Sequence, residues 1–197
     1  MVDAKLVQKL RERTGVGMMA CKEALREAAG NMEKAVEILR KKGVVKAVKH
    51  ATRTAKEGLV DSYIHLGGKI GVLLEISSET DFAAKSKDFK ELAKDLCMHI
   101  AASNPLYIKR EDVPPEIVAK EKEIFKAQVE NKPAAAVEKI LEGKIEKFYQ
   151  DTCLLEQPFV KNPEVSVKEH IVSNVAKMGE NIVVRRFTRY QVGEEST

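Results

Sequence analysis

The chain has 197 residues, enough for one domain with a substantial hydrophobic core or for a small module beside a larger one. Apolar residues make up 44% of the sequence, which excludes a globally disordered chain. The formal net charge of +4 is too small to indicate a nucleic-acid-binding protein by itself.

The cysteines and the N-terminal residues both bear on the cellular compartment. Cys21, Cys97 and Cys153 lie far apart, without a CxxC pair or a zinc-binding spacing, and are predicted to be free thiols. The opening MVDAKLVQK lacks the apolar stretch of a signal peptide, and no apolar run approaches the roughly 20 residues that span a bilayer. We therefore expect a cytoplasmic protein.

The first 43 residues are punctuated by glycines and predict three short amphipathic helices. These helices are expected to end near Gly15, Gly30 and Gly43, and Asn31 is a suitable N-cap for the third. Short turns between them indicate a compact three-helix bundle. The apolar stripes are formed by Leu6, Val7 and Leu10, then Met18, Cys21, Ala24, Leu25 and Ala28, then Ala35, Val36, Ile38 and Leu39.

Residues 40–56, RKKGVVKAVKHATRTAK, contain basic side chains and no acid. Such a run is typical of a solvated linker, helical in part. It is also compatible with a surface that faces RNA. The sequence alone leaves both interpretations open.

Beyond residue 57 the apolar period changes from helical to alternating. Ile70, Val72, Leu74 and Ile76 alternate strictly and predict a strand over 69–77. The segment 59–65 precedes it across Gly67-Gly68, which predicts a β-hairpin.

Helical periodicity returns after Thr80 and continues for most of the remaining chain. The first of these helices is expected to stop at Asn104-Pro105, and later ones to start at Pro114-Pro115 and at Pro133. A further helix is predicted over 162–178, and a final strand over 181–192. The resulting fold class is α+β: an N-terminal helical module with a basic linker (1–55), then a helical core domain with a small antiparallel sheet (56–197).

The stretch TGVGMMACK at 14–22 looks like a phosphate-binding loop but does not fit one. A Walker motif starting at Gly15 or Gly17 would need its second glycine where Ala20 or Lys22 stands. The looser GxGxxG/A form has meaning only after a strand, and here a helical stripe precedes it. The glycines are better explained as a turn between two helices. Met18 and Met19 then contact either the core of the module or a partner surface.

No catalytic constellation is recognisable. The four histidines, His50, His65, His99 and His170, show no HExxH spacing, and there is no GxSxG motif. We therefore predict a protein that is not an enzyme and that has no cofactor and no metal site.

Several segments, in order, resemble the bacterial elongation factor Ts family. They are LRERTGVGMMACKEAL (10–25), GVLLEISSETDFAAKSKDF (71–89), MHIAASNPLYI (98–108) and EGKIEKFYQDTCLLEQPFV (142–160). The resemblance covers nearly the whole chain and is to the short form of the family. It implies that residues 1–43 adopt the ubiquitin-associated (UBA-like) three-helix fold.

The resemblance also implies a function. Members of this family promote nucleotide exchange on the GTPase elongation factor Tu: they bind its GDP form, dislodge magnesium and let GTP replace GDP. Short members are expected to form homodimers that bind two GTPases, without membrane or direct nucleic-acid contact.

The residues that resemble the partner-binding motif of the family are Thr80, Asp81, Phe82 and Ala83. By position alone, Thr80 or Asp81 can cap the helix that follows, and Phe82 either packs under the corner as core or projects from it. The resemblance implies that Asp81 and Phe82 contact the GTPase near its magnesium and phosphate region, and that Phe82 inserts between its helices. Family members often have valine at the position of Ala83.

Further positions and rival functions remain open at this stage. Met18, Met19 and His99 are further partner-binding predictions, although a lone histidine on a helix flank, such as His99, is more often a structural or solvated residue. The main alternative function is RNA or ribosome binding through 40–56, although this run lacks interleaved aromatic residues. A UBA-type adaptor that uses only residues 1–43 is a third possibility.

Overall fold

The computed structural model describes residues 3–129 and 133–194. The described chain is mostly helical and contains a small three-stranded antiparallel sheet, so the predicted α+β fold class is confirmed. The three cysteines are buried free thiols.

The N-terminal residues form three helices: α1 (Ala4–Thr14), α2 (Met18–Glu27) and α3 (Met32–Ala51). Asn31 caps α3, since its side-chain oxygen accepts a hydrogen bond from the Lys34 amide at 3.0 Å. The apolar stripes predicted from the sequence meet in one core, so the three-helix bundle is confirmed. The buried members of this core are Val7, Leu10, Cys21, Ala24, Leu25, Ala28, Ala35 and Leu39.

Helix α3 does not end at Gly43, as the glycine pattern predicts, but continues to Ala51. Gly43 is buried, and a Cβ atom at this position would lie 3.3 Å from the Cβ of Ala176. The glycine therefore allows another helix to approach α3 closely, and here it does not act as a helix stop. As a result, much of the basic segment 40–56 is helical.

The three-stranded sheet contains β1 (Glu57–Ile64), β2 (Ile70–Ser78) and β5 (Val183–Gln191), in the order β1-β2-β5. The predicted hairpin is present, because the His65 amide donates to the Ile70 carbonyl at 2.8 Å across the turn. In β2, Val72, Leu74 and Ile76 are buried, as their alternation predicts.

The remaining helices are α4 (Asp81–Lys85), α5 (Lys87–Ser103), α6 (Pro115–Gln128), α7 (Ala134–Thr152) and α8 (Val167–Met178). Short 3-10 helices lie at Arg110–Asp112 and Leu154–Glu156. Helix α5 stops before Pro105, and α6 and α7 begin at the predicted prolines.

The helix predicted over 162–178 is partly wrong, because residues 162–166 form a strand. This strand, β4 (Asn162–Ser166), pairs antiparallel with β3 (Pro158–Phe159), and α8 begins only at Val167. Pro163 disfavours a helical conformation at Asn162, and the pairing with β3 gives this segment backbone partners that helical periodicity does not reveal.

The described chain divides into two compact units. The first comprises 1–61, 74–94 and 169–185, and the second comprises 62–73, 95–168 and 186–197. These units group distant parts of the sequence, whereas the predicted domains 1–55 and 56–197 are consecutive. That division into domains, and the UBA-like character of the bundle, stay predictions.

Candidate functional site

The glycine-containing stretch 14–22 forms the turn between α1 and α2. Gly15 has a φ of 65° and its amide donates to the Arg11 carbonyl at 2.7 Å, which closes α1. A helix precedes this turn, so the context that a phosphate-binding GxGxxG loop requires is missing. Met18 and Met19 follow in the first turn of α2 and are 54% and 67% exposed, so their side chains face outward.

The segment that resembles the partner-binding motif forms a corner between β2 and α4. Thr80 is the N-cap of α4: its hydroxyl accepts a hydrogen bond from the Ala83 amide at 3.2 Å. Ala83 and Ala84 are buried, which fixes the inner side of this five-residue helix. Ser86 ends α4, and its hydroxyl accepts from the Phe89 amide at the start of α5.

Phe82 projects from this corner into solvent and is 87% exposed. The alternative in which it packs beneath the corner is therefore wrong. Exposed phenylalanine is costly in water, and a large apolar side chain on an ordered backbone is typical of an interaction site. Of the four motif residues, Thr80, Asp81 and Phe82 face solvent, whereas Ala83 is buried.

Asp81 lies beside Phe82 and is paired within its own helix. The Lys85 ammonium is 2.5 Å from the Asp81 carboxylate, one helical turn away, and this carboxylate raises the pKa of Lys85. Both side chains are largely exposed, so the ion pair can exchange its partners for those of another molecule at little cost.

Two glutamates that sequence reasoning missed hold the corner in place. The Glu180 carboxylate accepts from the Thr80 amide at 3.1 Å and from the Thr80 hydroxyl at 2.6 Å. The Glu79 carboxylate accepts from the Asn181 amide at 2.6 Å. Glu79 directly precedes the motif and Thr80 is its first residue, but Glu180 and Asn181 are about a hundred residues away in the sequence, and no local pattern points to them.

Glu79 also connects the corner to the end of α3. His50 Nδ1 lies 3.3 Å and Arg53 Nη1 3.5 Å from its carboxylate. Burial alone would raise the pKa of Glu79, but the hydrogen bonds from Asn181 and His50 and the charge of Arg53 outweigh it and lower this pKa. The carboxylate is therefore held in its charged form.

His99 is buried and does not face any surface on which a partner could bind. Its Nδ1 accepts from the Val160 amide at 3.2 Å, and its Nε2 lies 2.9 Å from the Gln157 side-chain oxygen. The structural interpretation of this residue, which the sequence left open, fits these contacts.

The basic segment 40–56 is less positive than its sequence indicates, because several of its cations have acidic partners. Arg40 pairs with Glu169, Lys41 with Glu37, and Lys42 with Glu27. These pairs reduce the field that the segment would present to RNA. Val44, Val45 and Val48 are exposed along the same stretch of α3.

The described ranges, 3–129 and 133–194, contain neither a membrane-spanning helix nor a cluster of side chains suited to a metal ion. In these ranges, no helix is long and apolar enough to cross a membrane. The same residues contain no group of three His, Cys, Asp or Glu side chains that could hold a metal ion.

Comparison with known proteins gives one consistent result. The family model described as elongation factor TS matches residues 4–194. An elongation factor Ts from Carboxydothermus hydrogenoformans is 57% identical over 196 residues, covering 98% of this chain and 90% of the relative. The elongation factors Ts of Thermodesulfovibrio yellowstonii and Moorella thermoacetica are 56% and 59% identical, with 98% of this chain and 97% of each relative covered.

Proposed function

The chain belongs to the elongation factor Ts family, and we propose that it is a guanine nucleotide exchange factor for the GTPase elongation factor Tu. Membership of this family gives it a role in translation elongation. In the proposed mechanism it binds the GDP-bound GTPase, dislodges magnesium and promotes release of GDP, which GTP then replaces. The factor itself catalyses no covalent reaction and uses no cofactor.

The observation that carries this proposal is the exposed ring of Phe82 on an ordered corner. An exchange factor must bind the nucleotide-free GTPase more tightly than the loaded one, and by linkage it then weakens nucleotide binding by the same factor. Each tenfold weakening requires about 1.4 kcal/mol of differential contact. Burying one phenylalanine ring contributes roughly 1.5–3 kcal/mol, so insertion of Phe82 supplies a substantial part of that difference.

The neighbouring motif residues have distinct proposed roles. Asp81 contacts the GTPase near its magnesium and phosphate region, and in doing so it gives up its ion pair with Lys85. Thr80 orders α4 as its cap. Ala83 is buried, so we assign it a packing role beneath the corner rather than a direct contact.

Met18 and Met19 are proposed as a second contact with the GTPase. Both are exposed at the start of α2, and methionine side chains adapt well to a partner surface. His99 is left out of the proposed contact surface because it is buried.

We further propose a cytoplasmic homodimer that binds two GTPase molecules, in a two-plus-two complex, without membrane or direct nucleic-acid contact. Large apolar side chains are exposed at the hairpin end of the sheet, and such patches mark protein interaction sites. We call this group the hairpin patch; its members are Ile64, Leu66, Leu73, Tyr190 and Val192.

Stopped-flow release of fluorescently labelled GDP from elongation factor Tu tests the proposal. The intact chain is expected to accelerate release to a plateau as its concentration rises. Phe82→Ala should lower this plateau by roughly tenfold to a hundredfold, which corresponds to the loss of one buried ring. Its thermal unfolding should be close to that of the parent, because the Phe82 side chain is 87% exposed.

Leu106→Ala is the matched control, since it also removes an exposed large apolar side chain, but far from the motif in the sequence. It should leave the plateau unchanged. A full rate for Phe82→Ala would refute the assigned role of the ring, and no acceleration by the intact chain would refute exchange activity altogether.

A further inference from the structure

The exposed ring of Phe82 depends on a helix too short to be stable by itself. Helix α4 has five residues, whereas isolated helices shorter than about 12–15 residues are marginal in water. Its first turn is ordered by the Thr80 cap, because the Thr80 hydroxyl accepts from the Ala83 amide. Contacts that hold Thr80 in place therefore also hold α4, and with it the direction in which the Phe82 side chain projects.

Glu180 fixes the amide and the hydroxyl of Thr80, while the Ser78 hydroxyl donates to the Thr80 carbonyl at 3.0 Å. The two carboxylate oxygens of Glu180 accept from two donors of Thr80, the amide at 3.1 Å and the hydroxyl at 2.6 Å. The hydroxyl has a single proton, so donating it to Glu180 leaves only lone pairs to face the Ala83 amide. A hydroxyl that donates to a carboxylate is also a better acceptor, so the bond to Glu180 strengthens the cap.

The contact is part of a reciprocal clamp between residues 79–80 and 180–181. The Glu180 carboxylate accepts the Thr80 amide, and the Glu79 carboxylate accepts the Asn181 amide at 2.6 Å. Gly179, with a φ of 75°, makes the turn that brings these residues alongside the corner. Asn181 is fixed in addition by its side-chain amide, which donates to the Arg53 carbonyl at 2.8 Å.

We propose that Glu180 is a positioning residue for nucleotide exchange: it holds the Thr80 cap and thereby aims Phe82 at the GTPase. This inference rests on the proposed exchange function. Glu180 acts through Phe82 and does not itself touch the partner. Its bonds lie at the solvent edge of the protein, so losing them loosens the corner without unfolding the chain.

The direct test is amide hydrogen exchange of the intact chain, measured by NMR without any GTPase. In Glu180→Ala, the amides of Thr80 and Ala83 should exchange about tenfold faster, because the Thr80 amide loses its charge-assisted bond and the Ala83 amide loses a well-oriented hydroxyl acceptor. The amides of the buried strand residues Leu74 and Ile76 should be unchanged. Unchanged exchange at Thr80 and Ala83 would overturn the clamp.

The functional test is a double-mutant cycle in the GDP-release assay. Glu180→Ala should lower the plateau rate about tenfold while changing the half-saturating concentration less than threefold, because general binding is retained. On a Phe82→Ala background it should cause no further loss, since the ring it positions is absent. Glu180→Gln keeps one acceptor oxygen for the hydroxyl and should recover part of the rate.

Glu169→Gln is the control, because it neutralises another partnered carboxylate, which pairs with Arg40 near the start of α8, and leaves the contacts of Thr80 intact. It should leave the plateau and the exchange at Thr80 unchanged. An additive loss in the double variant would overturn positioning through Phe82. If amide exchange responds to Glu180→Ala but neither Glu180→Ala nor Phe82→Ala slows GDP release, the clamp is real and it is the exchange function that fails.

Discussion

At the scale of single residues, the hydrogen bonds of the buried His99 ring determine which of its nitrogens carries the proton. Because its Nδ1 accepts from the Val160 amide, the proton must be on Nε2, which donates to the Gln157 side-chain oxygen. The Gln157 side-chain amide then donates to the carbonyls of Asp151 and Ser103. Every polar atom of the imidazole ring is satisfied in its neutral form, and a second ring proton would face an N–H donor.

This arrangement predicts a stability that depends on pH. Burial lowers the pKa of His99 below its ordinary value near 6.5, and the bond to Gln157 offsets only part of that effect. As the pH falls, the unfolded chain takes up the His99 proton before the folded chain does. The contribution of neutral His99 to the free energy of unfolding is therefore fully present above about pH 6.5 and is lost as the pH falls through that value toward the lower folded-state pKa. Urea unfolding between pH 7.5 and 5 measures this.

The variant His99→Gln should be less stable at pH 7.5 but should lose less stability than the parent on acidification, because one titrating group has been removed. His65→Gln is the control, since it makes the same substitution at an exposed histidine, whose ring is hydrogen-bonded to a neighbouring tyrosine hydroxyl. This variant keeps His99 and should therefore still lose stability on acidification. Equal pH dependence in His99→Gln and the parent would contradict the assignment.

At the scale of elements, the role of Gly43 in helix α3 depends on a residue that is distant in the sequence. A glycine inside a helix costs about 1 kcal/mol relative to alanine, so its presence at position 43 needs a reason. The reason is Ala176, whose Cβ would lie 3.3 Å from a Cβ at position 43. The sequence of α3 alone offers no sign of this neighbour.

Two glycine substitutions test this explanation, because they should change the free energy of unfolding in opposite directions. Gly43→Leu should destabilise the protein by roughly 1–3 kcal/mol, because the larger side chain forces the approach at Ala176 apart. Gly143→Ala, within α7, should stabilise it by up to about 1 kcal/mol, because a Cβ there meets nothing within 4 Å. Chemical denaturation reports both. A tolerated Gly43→Leu would show that the close approach is not required.

Elements that depend on their own residues can be predicted from the sequence, whereas elements that depend on contacts with distant segments cannot. The alternation of Leu74 and Ile76 and the prolines before α6 and α7 gave the correct strand and helix starts, because each acts on its own backbone. The strand over 162–166 was missed because it forms only against Pro158–Phe159. The motif around Phe82 was found, but Glu180 was not, since only the fold brings it to Thr80.

At the scale of the whole molecule, the hairpin patch needs a partner. Stable specific interfaces bury about 800 Å² on each side, which a few apolar side chains supply only in part. In the described residues, β1 and β5 each have a single neighbour in the three-stranded sheet, so both present unpaired backbone groups at an edge. A second copy of the chain would cover the patch and an edge together, which favours the proposed homodimer.

The double variant Ile64→Lys/Leu73→Lys should therefore be monomeric. Sedimentation equilibrium should give a mass near 22.0 kDa, in place of twice that value for the parent. Burying two ammonium groups at an apolar contact costs several kcal/mol, enough to dissociate the dimer, whereas exposed lysines are tolerated in the monomer. Leu106→Lys places a lysine on an exposed apolar site outside the patch and should remain dimeric.

The monomeric variant should still accelerate GDP release from elongation factor Tu, because neither substituted residue belongs to the Phe82 corner. Its rate per protomer should lie within about twofold of the parent, since the lost contact takes no part in the transition state of exchange. A parent that sediments as a monomer would rule out the dimer, and a monomeric variant that has lost exchange would show that one copy alone is not sufficient.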